Sequence, residues 1–191
     1  MKHIAIEGMD GVGKSTTCKL LAERLGYTFV EKGLQYLYGS KEEYQRIAKL
    51  VNANLDRSFT AWYYGLNNIF TYSQFKDQNI VTDRHIVSNY CWSGTKDNID
   101  IYNLILKKIG KPTLTVILYA SPEVIEGRLK TRNVNDRDLS KVKLAEAAYE
   151  RMIYFCELKK LPYMVIDTGK LNPEEIVELI VKRKEVLDKD E

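Results

Sequence analysis

Residues 8–15 read Gly-Met-Asp-Gly-Val-Gly-Lys-Ser. A glycine, four residues, then Gly13-Lys14-Ser15 is a spacing with a definite chemistry. The glycines let successive backbone N–H groups turn inward around a polyphosphate, and the N-terminus of a following helix favours the same negative charge. Lys14 would neutralise charge on the outer phosphates, and the Ser15 hydroxyl suits Mg²⁺. Gly8, Met9, Asp10, Gly11, Val12, Gly13, Lys14, Ser15 and Thr16 therefore form the expected nucleoside-triphosphate site. The apolar run Ile4-Ala5-Ile6 precedes it and a helix-like stretch from Thr16 to Leu25 follows, which is the context such a loop needs.

A second constellation is Asp83-Arg84 after the apolar Ile80-Val81-Thr82. A carboxylate at that strand end can hold Mg²⁺ or its water. The Arg84 guanidinium beside it offers a planar fork that fits a phosphate, although the same pair could be a local ion pair. His85 follows, with packing and catalysis both open to it. A third is the basic stretch from Arg128 to Arg137, where Arg128, Arg132 and Arg137 lie between two helical patterns and Asn133 and Asn135 serve as breakers. Three arginines there could close over a triphosphate as a mobile lid at about 128–140, or could simply be a solvated helix end. The fourth is an aromatic helix after Ser58. Tyr63 and Asn67 are four apart and share a face, as do Tyr64 and Asn68. An aromatic ring next to an amide can stack on a base and read its edge, whereas a plain core stripe rarely carries Asn.

These residues need elements to position them. Ile4–Ile6, Thr28–Val30, Ile80–Thr82, Leu114–Tyr119 and Tyr163–Ile166 read as buried strands. Helices are expected over Lys14–Leu25, Lys41–Leu55, Ser58–Lys76, Ile99–Ile109, Pro122–Lys130, Lys141–Lys160 and Pro173–Leu187. Ser121-Pro122 and Asn172-Pro173 each place a cap before a proline at the first helical position, and Gly26 suits a helix stop. The alternation predicts an α/β fold of the P-loop NTPase kind: a five-stranded parallel sheet with helices on both faces. The 191 residues suit a single domain, 1–191, with a charged tail from Lys182 to Glu191 expected to fray. In such sheets ligands bind beyond the carboxyl ends of the strands, where Glu7–Ser15, Glu31–Gly33 and Asp83–His85 all fall.

The charge balance excludes some partners. The net charge of +3 is too mild for a nucleic-acid polymer or a membrane surface, yet leaves room for a few arginines around a small anion. The three cysteines, Cys18, Cys91 and Cys156, are odd in number and lack metal-site spacing. They suit reduced thiols, and with a strand starting almost at the N-terminus they point to a cytoplasmic protein.

Taken together the motifs resemble the thymidylate kinase family of nucleoside monophosphate kinases. Glu7-Gly-Met-Asp10-Gly-Val-Gly13-Lys14-Ser15 fits the family's E-G-x-[DE]-x-x-G-K-[ST], and the run from Asp83 to Gly94 resembles its D-R-[YH]-x-x-S-x-x-A-[YF]-x-G. Pro112–Glu123, the lid arginines, Ile166-Asp167 and Pro173-Glu174-Glu175 extend the likeness almost end to end. The resemblance implies transfer of the ATP γ-phosphate to the 5′-phosphate of dTMP with Mg²⁺, held by Ser15 and Asp83. It implies that Asp10 meets the acceptor sugar and Arg84 its phosphate. Gly11 stands where some members carry a catalytic arginine, so Lys14, Arg84 and the lid residues Arg128, Arg132 and Arg137 are the expected catalytic groups. It also implies a homodimer.

Two departures fall on the acceptor side. If Tyr63 is the family's base-binding aromatic, Asn67 replaces the usual arginine four residues on. Val30-Glu31-Lys32-Gly33 replaces R-E-P-G after the second strand. Base choice is therefore open, with Tyr63, Asn67, Asp10 and Arg84 the expected acceptor contacts. Two other readings compete: a deoxynucleoside kinase, whose acceptor is a hydroxyl, and a nucleotide-binding regulatory protein without catalysis. Intact Lys14, Ser15, Asp83 and lid arginines favour an enzyme.

Overall fold

The computed structural model describes residues 1–189. Five strands form one sheet: β1 (His3–Gly8), β2 (Thr28–Val30), β3 (Ile80–Asp83), β4 (Leu114–Tyr119) and β5 (Tyr163–Asp167). Their order is β2-β3-β1-β4-β5, and every pairing is parallel. β1 lies at the centre, registered Ile6↔Asp83 on one side and Gly8↔Leu118 on the other. All six of its residues are buried, as expected for a strand covered on both faces.

The helices are α1 (Lys14–Leu25), α2 (Lys41–Ala53), α3 (Arg57–Phe75), α4 (Ile86–Ser93), α5 (Ile99–Ile109), α6 (Pro122–Arg132), α7 (Ala145–Leu158) and α8 (Pro173–Lys189). α1 packs on α8 across one face, while α3, α4, α5 and α7 pack together on the other. Their starts have local causes. Ser40 accepts from Glu43 N–H at α2, Asp56 caps α3, and Ser121 caps α6 ahead of Pro122. Asn172 and Glu175 cap α8 reciprocally, each side chain accepting from the other's backbone N–H. Gly26 ends α1 in the left-handed conformation at φ 64°.

The five expected strands and the parallel α/β architecture are all present. Several helix expectations are corrected. Lys41–Leu55 stops at Ala53, and Ser58–Lys76 starts at Arg57 because Asp56 is the cap. Pro122–Lys130 runs on to Arg132. The stretch expected as one helix, Lys141–Lys160, is a 3-10 segment (Arg137–Leu144) followed by α7, which ends at Leu158. α4 and a 3-10 turn over Gly33–Leu37 are present in addition to the expected elements. The tail expected to fray from Lys182 is helical to Lys189, tied by Lys184 and Lys2 to Asp188; residues 190 and 191 of that expectation lie outside the described residues.

Candidate active site

The site is built at the carboxyl edge of the central strands. The loop from Gly8 to Gly13 leaves β1 and enters α1 through Gly13, which has φ 94°. Gly8 has φ 139°, and a Cβ there would run into the Leu118 carbonyl of β4, so only glycine fits. Lys14 folds back across the loop. Its ammonium is buried, donates to the Met9 carbonyl at 2.7 Å and lies 3.7 Å from Asp10. Burial, and then the nearby Arg84 cation, bring its pKa down to about 8. A positive charge this poorly compensated favours an incoming polyphosphate.

Ser15 and Asp83 meet although 68 residues separate them: the Ser15 hydroxyl donates to the Asp83 carboxylate at 2.6 Å. One hydroxyl and one carboxylate are the hard oxygen donors that Mg²⁺ takes from protein when phosphates and water supply the rest. Among the described residues no cluster of three or more His, Cys, Asp or Glu side chains is built to hold a metal by itself. The residues therefore fit a nucleotide-borne Mg²⁺. Thr16 is exposed on the first turn of α1.

Arg84 and Asp10 form the next pair, at 2.8 Å. Arg84 has φ 72°, a left-handed conformation that costs a non-glycine residue roughly 1 kcal/mol. Its guanidinium is held on three sides, by Asp10, by the Gly8 carbonyl at 3.0 Å and by the Ser88 hydroxyl at 3.3 Å. Burial pushes the Asp10 carboxyl up, but Arg84 and Lys14 outweigh it and hold Asp10 below the usual carboxylate range. The arrangement is a fixed fork beside the phosphate loop, with its carboxylate counterpart in place.

The basic segment has more internal structure than its composition suggests. Arg128 is a strut: it donates to the Thr168 hydroxyl at 2.9 Å and carbonyl at 2.7 Å, after β5, and reaches the Gly11 carbonyl at 3.5 Å. Arg132 is held by Asp136, through Nε at 2.8 Å and Nη2 at 2.5 Å, and lies 3.6 Å from Asp138. Arg137 is exposed at the start of the 3-10 segment. Lys141, one residue past the expected lid, pairs with Asp138 at 2.8 Å.

The aromatic helix is divided. The Tyr63 hydroxyl lies 3.0 Å from that of Tyr38. Tyr64 donates to Asn52 at 2.8 Å and meets the Tyr63 ring edge-on. Tyr44 joins them beside Tyr38; burial and its neighbouring phenols push it up to about 12, while Arg84 is near enough to pull the other way. Asn67 turns its carbonyl to the Leu34 N–H at 2.8 Å, anchoring the 3-10 turn, which commits one lone pair of that oxygen and leaves the amide NH₂ to donate to a ligand. Asn68 is buried. His85 is buried too, its ring edge-on to His3, and burial takes its pKa down to about 3.

Lys14, Ser15, Asp83, Asp10 and Arg84 are thus brought together, and Arg128 borders them through Gly11. Tyr63 is joined to Tyr38 and Tyr64 instead, and of these aromatic residues it is Tyr44 and Tyr64 that feel the Arg84 charge. Sequence reasoning missed Glu7 as a contact, Ser88, Thr168, Tyr38, Tyr44 and Asp138. No local spacing marks Tyr38 and Tyr44 as neighbours of Tyr63 and Tyr64; Tyr38 directly follows the 3-10 turn that Asn67 anchors.

A phosphate loop on a parallel sheet with β3 beside β1, and an acid-arginine pair at the end of β3, define a P-loop nucleotide kinase. A thymidylate kinase family model matches residues 6–180. The chain belongs to the thymidylate kinase family, within the nucleoside monophosphate kinases, and is a phosphotransferase. It is similar to the thymidylate kinase of Rickettsia typhi, with 30% identity over 95% of this chain and 96% of that one. It is equally similar to a Thermococcus kodakarensis protein provisionally named adenylate kinase, at 30% identity over 93% of this chain and 82% of that one. Its fold matches the structure of deoxyadenosine kinase from M. mycoides with the products dCMP and dCDP bound, at TM-score 0.65 and 19% identity, covering 95% and 97% of the two chains. Among the described residues no helix is long and apolar enough to cross a membrane.

Proposed function

We propose that this enzyme transfers the γ-phosphate of ATP to the 5′-phosphate of dTMP, giving dTDP and ADP. The observation that carries the reading is the Arg84–Asp10 pair beside the phosphate loop. A guanidinium fixed there suits an acceptor that already bears a phosphate, and Asp10 suits its sugar hydroxyl. The backbone of Gly8 to Ser15 and the Thr16 turn cradle the ATP phosphates, and Lys14 answers their charge. Ser15 and Asp83 would hold Mg²⁺, which neutralises phosphate charge when bound with ATP. Little proton transfer is asked of the protein, so positioning and charge do the work. Gly11 leaves no arginine in the loop, and Arg128, Arg132 and Arg137 fill that role from a lid at about 128–140. Arg128 stabilises its base by holding Thr168, and Arg132 exchanges Asp136 for phosphate.

Tyr63, with Tyr38 and Tyr44 beside it, is the platform for the base, and the Asn67 amide reads its edge. A second reading, a monophosphate kinase of different base preference or a deoxynucleoside kinase, draws on Asn67 standing where the family offers arginine. We place the enzyme in the cytoplasm as one domain, 1–191, acting as a homodimer. Phe59, Trp62 and Leu66 support the last point, an exposed apolar stripe at helical spacing on α3.

The test is a panel of dTMP, dUMP, dCMP, dGMP, dAMP and thymidine with Mg-ATP, ranked by kcat/KM. The reading expects dTMP among the acceptors, with looser base discrimination than an arginine would give. Faster phosphorylation of thymidine than of dTMP would replace it with the nucleoside kinase.

A further inference from the structure

Glu7 is fully buried in β1, one residue before the phosphate loop. A buried carboxylate needs compensation, and all its hydrogen-bond donors come from one place. Oε1 accepts from the N–H groups of His85 at 3.0 Å and Val87 at 3.2 Å. Oε2 accepts from the Ser88 N–H at 3.1 Å and from the Ser88 hydroxyl. These are orphan donors of the first turn of α4, which receives no cap from its own N-cap side chain, His85. A helix that needed only a cap would take one locally from Ser, Thr, Asn or Asp. Here the cap comes from a strand 78 residues away.

The same hydroxyl links Glu7 to the site. Ser88 donates its proton to Glu7, which leaves its lone pairs for Arg84 Nη1 at 3.3 Å. Nη1 also donates to the carbonyl of Gly8, the neighbour of Glu7. Arg84 sits between the two clamped segments in its left-handed conformation, which persists only where the surroundings over-determine it. The geometry points to Glu7 as a positioning residue that acts through Ser88 to aim Arg84 at the acceptor. This rests on the reading of Arg84 as the clamp for the acceptor phosphate. It joins the ATP half of the site, carried by β1, to the acceptor half, carried by the β3–α4 turn.

Steady-state kinetics of Ser88→Ala, Glu7→Gln, Arg84→Ala and the double variant Ser88→Ala/Arg84→Ala test it, with Mg-ATP and the best monophosphate among dTMP, dAMP, dCMP and dGMP. Ser88→Ala is expected to raise the acceptor KM about tenfold while the KM for ATP moves by less than about twofold, the scale of one hydrogen bond to a charged group. Glu7→Gln shifts it in the same direction. Adding Ser88→Ala to Arg84→Ala leaves the acceptor KM where Arg84→Ala alone put it, because a residue acting through Arg84 has nothing left to position. A role in folding alone would move both substrates or add to the Arg84 effect. If Glu7→Gln fails to fold, Ser88→Ala and the double variant decide. An acceptor KM unchanged in Arg84→Ala would overturn the clamp and the positioning role together. A raised KM in Arg84→Ala, with Ser88→Ala at wild type or with additive effects, would overturn the positioning role and leave the clamp standing.

Discussion

Replacing Arg84 by alanine separates acceptor binding from ATP binding, and the structure sets the size of the effect. The side chain makes three resting contacts: Asp10 at 2.8 Å, the Gly8 carbonyl at 3.0 Å and the Ser88 hydroxyl at 3.3 Å. A phosphate that engages the guanidinium takes over part of the Asp10 contact, so the net gain is about one charge-assisted hydrogen bond. That is roughly 1.5–3 kcal/mol, or about 10- to 150-fold in the acceptor KM. ATP should be indifferent. Arg84 helps to lower the Lys14 pKa, so its loss leaves Lys14 at least as well charged for the triphosphate. Stability responds separately. The ion pair is only partly buried, so its loss costs on the order of 1 kcal/mol after screening. Alanine keeps the left-handed strain at φ 72°, whereas glycine relieves about 1 kcal/mol of it. Arg84→Gly should therefore melt about 2–4 °C above Arg84→Ala. The assay is ADP formation with each substrate varied against saturating partner, alongside thermal melts of both variants. An acceptor KM within about threefold of wild type, or a parallel rise for ATP, would refute the clamp. Equal melting temperatures for the two variants would refute the strain argument.

Lys14→Ala should keep the fold and lose about 10²–10³ or more in kcat, the scale for removing a preorganised charge from a phosphoryl-transfer site, checked by single-turnover transfer. Arg132→Ala and Arg137→Ala should lower kcat with little change in acceptor KM, while Arg128→Ala should also lower the melting temperature because it releases Thr168; normal kcat in all three would remove the lid from catalysis. Asn67→Ala should cost roughly 1–2 kcal/mol by leaving the Leu34 N–H without its acceptor, and should reorder the monophosphates; an unchanged ranking would leave Asn67 as an anchor for the turn only. Burial pushes Glu7 from 4.5 up to about 7, with the Ser88 hydroxyl and Arg84 opposing it. The folded state thus holds a proton that the unfolded chain has released, so this contribution is full below about pH 4.5 and is lost as pH rises through about 7, on the order of 3 kcal/mol at most. Melts across that window should show a fall in the wild type that Glu7→Gln lacks; matching curves would refute the assignment.

The local sequence determined whatever depends on neighbours along the chain. Gly8 to Ser15 is contiguous, so its glycines, Lys14 and Ser15 announce a phosphate loop without knowledge of the fold. The apolar runs of the central strands β1, β3 and β4 are legible because both faces of the sheet are buried there, the partly exposed edge strands β2 and β5 are legible from their β-branched and aromatic residues, and Ser121-Pro122 and Asn172-Pro173 mark helix starts with their own side chains. Tertiary structure decided what depends on distant partners. Ser15 meets Asp83 across 68 residues and Asp10 meets Arg84 across 74, distances that the motifs imply but cannot measure. α4 is not legible in the sequence because its cap, Glu7, comes from a distant strand, so no local signal opens the helix. Asn67 sits on the same helical face as Tyr63, yet its carbonyl is claimed by the Leu34 backbone, a contact set by how the 3-10 turn packs on α3. The lid arginines read as a charge run, but Thr168, Asp136 and Asp138 give Arg128 and Arg132 fixed and different geometries. Spacing specifies which groups are present, and packing specifies which of their hydrogen-bonding atoms are already taken.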